Sequence, residues 1–139
     1  LLLTQAFAAQ VLAERAAPGA AIVNISDQRV LKPTPDHLSY ALSKSGLWSL
    51  TKMSAQALAP AIRVNAVAPG PPLPTREDGA TGFAEEAAAV PLARPVAPQA
   101  IAEAVLYLAR AAHVTGQMIA VDSGQHIAWR TPDVIATER

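Results

Sequence analysis

The feature that most constrains this chain is a pair of short, unbroken apolar runs. Ala20-Ala21-Ile22-Val23-Asn24-Ile25-Ser26 and Ile62-Arg63-Val64-Asn65-Ala66-Val67-Ala68 each have the length of a strand, and neither shows the in-and-out alternation of a sheet with one wet face. Continuous apolarity of this kind fits strands covered on both faces, as in a parallel sheet between layers of helices. The segments between the runs have helical character. Leu2, Ala6, Ala9, Leu12 and Ala13 recur at helical intervals within residues 1 to 16, and Ala17-Pro18-Gly19 stops that pattern. A signal peptide is the competing reading of this start. It fails because no basic segment precedes the run and because Gln5, Gln10 and Glu14 interrupt it.

Asp36 is a candidate N-cap for a helix over about 37–58, which Pro60 ends. Pro69 to Gly82 reads as a long loop with four prolines and three glycines. A short helix over Phe83–Val90, a better one over Pro98–Arg110 with Ile101, Val105 and Leu108 on one face, and a third strand over Gln117–Val121 complete the pattern. The order helix, strand, helix, strand, helix, strand predicts an α/β doubly wound fold with a parallel sheet.

At 139 residues with 51% hydrophobic content, the chain is large enough for one packed core. Eleven Lys plus Arg balance eleven Asp plus Glu, so the basic excess that nucleic-acid binding demands is missing. No apolar stretch has the length and purity of a membrane span. The absence of Cys excludes thiolate metal sites and cysteine nucleophiles, and His37, His113 and His126 lack metal-ligand spacing. No metal is expected.

Tyr40 and Lys44 are four residues apart on the long helix, so they share a face about one turn apart. An ammonium beside a phenol favours its anion, and the pair is expected to lower the tyrosine pKa toward the range of a general acid. Taken alone, the spacing also fits an ordinary solvated helix.

The strand end Ile22-Val23-Asn24-Ile25-Ser26-Asp27, then Tyr40-Ala41-Leu42-Ser43-Lys44, then Asn65-Ala66-Val67-Ala68-Pro69-Gly70 occur in one order with βαβ spacing. Together they resemble the short-chain dehydrogenase/reductase family, over residues 1 to about 129. The resemblance implies a Rossmann-like sheet, a YxxxK proton donor, and a Pro-Gly segment beside the nicotinamide. It assigns Tyr40 as the acid, Lys44 as the group that tunes it and holds the nicotinamide ribose, and Pro69, Gly70, Leu73 and Thr75 as cofactor neighbours. Thr75 falls one place later than usual. Pro72 has no N–H where many relatives donate one to the carboxamide. Asn65 is read as serving the turn after its strand rather than the substrate.

One departure is chemically informative. Asp27 occupies the position thirteen residues before the tyrosine where the family carries its catalytic serine, while Ser26 should face the other side of the sheet. The same exchange occurs in the pteridine-reductase branch, and SDQRVLKPTPDHLSYALSK and VTGQMIAVDSGQHIAW resemble the bacterial dihydromonapterin reductase subgroup. A carboxyl can relay a proton to the nitrogen of a C=N bond as hydride arrives, whereas a ketone needs only a hydrogen-bond donor, which a carboxylate is not. The alternative is that Asp27 is a strand-end turn residue. His126 and Trp129 could stack on a pterin ring, with packing at a subunit contact as the weightier reading, and Trp48 is read as core or interface.

The resemblance thus implies a cytoplasmic NADPH-dependent reductase, NADH not being excluded. Its small-molecule substrate would be a pterin bound by Asp27, Tyr40 and Trp129, and it would be a homotetramer joined through helices 1–16 and 37–58. A general carbonyl or 3-oxoacyl reductase is the alternative enzyme. A non-catalytic fragment or assembly module is the alternative outside enzymes, because no Gly-rich phosphate-binding turn occurs in the sequence. Residues 1–139 are accordingly expected to be the C-terminal half of a nucleotide-binding domain, with 130–139 as a tail. The missing half would leave an unpaired sheet edge and a naked apolar face, and the segment alone is expected to be inactive.

Overall fold

The computed structural model describes residues 1–14, 19–35, 37–74, 76 and 79–129. Three strands, β1 (Ala20–Ile25), β2 (Ile62–Pro69) and β3 (Met118–Val121), form one parallel sheet in that spatial order. Around them lie α1 (Leu2–Ala13), α2 (Leu38–Leu58), α3 (Gly79–Ala89) and α4 (Pro98–Arg110). The sheet is in register from Ala20 opposite Ile62 to Ile25 opposite Val67, and from Ala66 opposite Met118 to Pro69 opposite Val121.

The central strand is the buried one. Ile62, Val64, Ala66, Val67 and Ala68 are all at most 1% exposed, because β2 has strands on both sides and helices above and below. Side chains on alternate residues serve different layers. Ile62 and Val64 meet Ala8 and Val11 of α1 and Ala55 of α2, with Ala20 and Ile22 of β1 completing that cluster. Arg63, on the other face, reaches the end of α4: its guanidinium donates to Leu108 O at 2.7 Å, Ala109 O at 2.7 Å and Ala111 O at 2.9 Å. Those are carbonyls that a helix C-terminus leaves without partners, and a cation there also favours the helix dipole.

β1 departs from the double-sided burial read from its composition. Its residues are half-buried and Ile25 is 47% exposed, because among the described residues β1 pairs with β2 alone. Leu2 and Leu3 of α1 and Leu42 and Met53 of α2 are also exposed. α1, α2 and α4 lie close to where the periodicity predicts them. α3 begins four residues before the predicted Phe83, shortening the loop after β2. Asp36 lies outside the described residues, and the residue before the first turn of α2 is His37, at φ 58°.

Asn65 corrects its sequence reading. It is fully buried inside β2, where Nδ2 donates to Val114 O at 2.9 Å and Oδ1 accepts from Gln117 N at 3.0 Å. It therefore braces the approach to β3 and not the turn after its own strand. No helix among the described residues is long and apolar enough to cross a membrane, and none of their His, Asp or Glu side chains group in threes as metal ligands would.

Candidate active site

The site forms where β1 and β2 end. The sheet ladder runs one residue past β1, Ser26 N donating to Val67 O at 2.7 Å, and the chain then leaves the sheet at Asp27 in an extended conformation. A single 3-10 turn follows over Gln28–Val30, which sequence patterning did not anticipate. Asp27 organises it: Oδ1 accepts from Arg29 N at 2.7 Å. Its other oxygen is used differently. Tyr40, in the first turn of α2, donates its hydroxyl to Asp27 Oδ2 at 2.8 Å. Asp27 is thus both a turn residue and the partner of the tyrosine.

Lys44, one turn further along α2, donates from Nζ to Ile25 O at 3.0 Å and lies 5.6 Å from the centroid of the Tyr40 ring. Asn24 ties the same helix to β1, Nδ2 donating at 2.9 Å to Thr51 Oγ1, and the Thr51 hydroxyl donates in turn to Leu47 O. This pair helps hold α2 against the strand, and no local sequence signal marks it.

The electrostatics correct the expectation for Tyr40. Its phenol is pushed up to about 12, first by burial, then by its hydrogen bond to Asp27 and by the charge of that carboxylate, with Arg29 opposing. The ammonium of Lys44 is engaged by the strand carbonyl, so the neighbour that governs the hydroxyl is the carboxylate it touches.

Asp27, Tyr40 and Lys44 stand in the wall of one open cleft of about 460 Å³, together with Pro69, Gly70 and Glu86. Gly70 is held by close packing. A Cβ there would lie 3.0 Å from Asp122 Cα and 3.1 Å from Gln125 Oε1, so the end of β2 meets the turn after β3 only because that side chain is absent. Ser26 and Gln28 line the cleft and are 3% and 5% exposed; Ser26 Oγ and Gln28 Oε1 have no hydrogen-bond partner among the described residues.

The remaining candidates fall elsewhere. Leu73 is 62% exposed and outside the cleft wall, and Thr75 lies outside the described residues. Trp129 borders a neighbouring depression with Lys32, whose Nζ sits 5.0 Å from the indole centroid and donates to Ala128 O at 3.0 Å. His126 pairs with buried Asp122, Nδ1 to Oδ2 at 2.7 Å. Glu86 borders both depressions and was not singled out by its sequence context.

The parallel sheet and its flanking helices are matched by comparison with known proteins. Residues 2–126 fit the family model described as enoyl-(acyl carrier protein) reductase. The chain belongs to the short-chain dehydrogenase/reductase family. It is 40% identical over 109 residues to carbonyl reductase family member 4 of Danio rerio, covering 76% of this chain and 45% of that protein. It is 34% identical over 108 residues to a dihydromonapterin reductase of Citrobacter koseri, covering 76% and 44%. A crystal structure of FolM alternative dihydrofolate reductase 1 from Brucella canis, complexed with NADP, superposes with a TM-score of 0.80 at 46% identity, covering 89% of this chain and 52% of that one. The chain spans about half the length of the curated relatives it matches.

Proposed function

We propose that the protein to which these residues belong is an NADPH-dependent reductase that transfers hydride to the C=N bond of a dihydropterin. The observation that carries this reading is the 2.8 Å hydrogen bond from Tyr40 to Asp27. A carboxylate here accepts from Tyr40 and from a substrate N–H and can relay the Tyr40 proton to a ring nitrogen, whereas it has no hydrogen of its own to donate to a ketone oxygen as a hydroxyl does. The dihydromonapterin reductase relatives and the NADP-bound neighbours support it.

The residues present fit the nicotinamide end of such a cofactor. Lys44 has three N–H donors and gives one to Ile25 O, which leaves two for ribose hydroxyls. Pro69 and Gly70 border the same cleft at the end of β2. When bound, the reduced nicotinamide supplies the hydride. Tyr40, neutral throughout the physiological range, holds the proton, and Asp27, which accepts its hydroxyl at 2.8 Å, relays that proton to the substrate nitrogen as hydride arrives. The phosphate-binding turn is assigned to residues outside these 139. We place subunit contacts on the exposed apolar faces of α1 and α2, as a homotetramer in the cytoplasm.

A carbonyl or 3-oxoacyl reductase is the second reading, favoured by the likeness to carbonyl reductase family member 4 and to a 3-oxoacyl-[acyl-carrier-protein] reductase of Thermotoga maritima. The test is NADPH oxidation by the full-length protein with a dihydropterin and with a simple ketone. The pterin reading expects kcat/KM to favour the dihydropterin. A large preference for the ketone overturns it.

A further inference from the structure

Glu86 is on α3, in the wall of the cleft that holds Asp27, Tyr40 and Lys44. It is not left to solvent. Gln125 Nε2 donates to Glu86 Oε1 at 2.6 Å across 39 residues of sequence. A carboxylate only accepts, so this bond sets the orientation of the Gln125 amide: its nitrogen faces α3 and its oxygen faces Gly70. That oxygen is buried and has no donor among the described residues. Leaving a buried acceptor unpaired is unfavourable. A glutamate whose role was to solvate a helix face would need no such tether.

The polar groups of the cleft are divided by element. The β1 and α2 side supplies the donors Tyr40 and Lys44, with Arg29 beside them, the acceptor Asp27, and Ser26 and Gln28 with their unpartnered Oγ and Oε1. The polar side chain from α3 is Glu86, which accepts only. Gln125 Nε2 occupies one of the roughly four acceptor positions of that carboxylate. A flat ligand spanning the cleft finds an acceptor toward α3, which N–H groups complement. A carboxylate matches two adjacent N–H donors in a bidentate, charge-assisted pair.

We propose that Glu86, positioned by Gln125, determines specificity in this cleft by accepting hydrogen bonds from the amino and ring N–H edge of a 2-aminopyrimidinone-type ring. This rests on the dihydropterin reading above, and adds the residue that distinguishes the amino-bearing edge from an oxo edge. A site built around such donors rejects the analogue that lacks them, because its own acceptor is then left without a partner.

The experiment compares the full-length wild-type protein with Glu86→Ala, Glu86→Gln and Gln125→Leu. The substrates are a dihydropterin, its counterpart with oxygen in place of the 2-amino group, and a simple ketone. In Glu86→Ala, KM for the dihydropterin should rise on the order of ten- to a hundredfold, with kcat nearly unchanged. KM for the ketone should stay within about twofold, the size of change expected when no such bond is lost, and KM for the oxo analogue, which keeps the ring N–H but lacks the amino donor, should rise less than that for the dihydropterin. Glu86→Gln and Gln125→Leu should move in the same direction by less. The inference is overturned if KM for the dihydropterin does not rise, or if all three substrates weaken together. If the wild-type protein reduces the ketone and not the dihydropterin, the functional reading itself fails. The isosteric Glu86→Gln and the retained ketone turnover guard against a folding defect passing for loss of recognition.

Discussion

Replacing Asp27 by Asn tests which neighbour controls the acid. The substitution keeps the shape of the side chain, removes its charge, and weakens the bond now made from Tyr40 at 2.8 Å. The phenol stands near 12 against an ordinary 10.0, and Asp27 supplies the second and third influences that raise it, after burial. Burial survives the substitution. Tyr40 is also 41% exposed, so water screens part of the charge effect. The midpoint should therefore fall by part of that gap and not the whole of it, since burial remains, giving a gain in tyrosinate of at most about tenfold at a fixed pH inside the window.

Near-ultraviolet absorbance of tyrosinate reads this directly in the ligand-free protein. Tyr107→Phe as background removes the other tyrosine of the 139 residues. Stability should follow by linkage. A phenol raised on folding contributes stability that is complete below pH 10 and lost as pH rises through about 12, and Asp27→Asn should narrow that window. A midpoint that stays in place or rises in Asp27→Asn would refute the reasoning. So would a larger shift in Lys44→Met, since the Lys44 ammonium is turned to Ile25 O.

Two further substitutions probe the frame around the site. Gly70→Ala puts a methyl 3.0 Å from the Asp122 backbone, which cannot rotate away, and should destabilise by about 1–3 kcal/mol in denaturant titration; it should also loosen Gln125 and so raise KM for any ligand that Glu86 holds. Arg63→Met removes three hydrogen bonds from the end of α4 and should cost about 2–4 kcal/mol, part of the loss being recovered as water reaches the freed carbonyls. An unchanged transition midpoint in either variant would contradict the packing described here.

Much of this architecture was legible because it is written in local patterns. Apolar runs of strand length placed β1 and β2, helical spacing placed α1, α2 and α4, and Pro60 and Pro98 marked a helix stop and start. That Asp27 and Tyr40 belong to one site was legible from the family resemblance, in which the position thirteen residues before the tyrosine is catalytic; the bond between them was not legible at all. Other features were not legible. The half-exposure of β1 depends on which strands lie beside it, and composition does not carry that information. Asn65 reads in sequence with the Asn65–Gly70 segment that leads into the turn after β2; its partners Val114 and Gln117 lie far away in sequence.

The sequence by itself determined the layered α/β class and the residue types at the cleft, since burial period, proline placement and chain spacing are properties of neighbours along the chain. Only the tertiary structure decided that Lys44 turns to a strand carbonyl, that Asp27 raises the phenol of Tyr40, and that Gln125 tethers Glu86. Each is a contact made after the parallel sheet has brought separate strand ends to one edge. Its direction is set by whichever donor or acceptor lies within about 3 Å, which spacing along the chain does not specify.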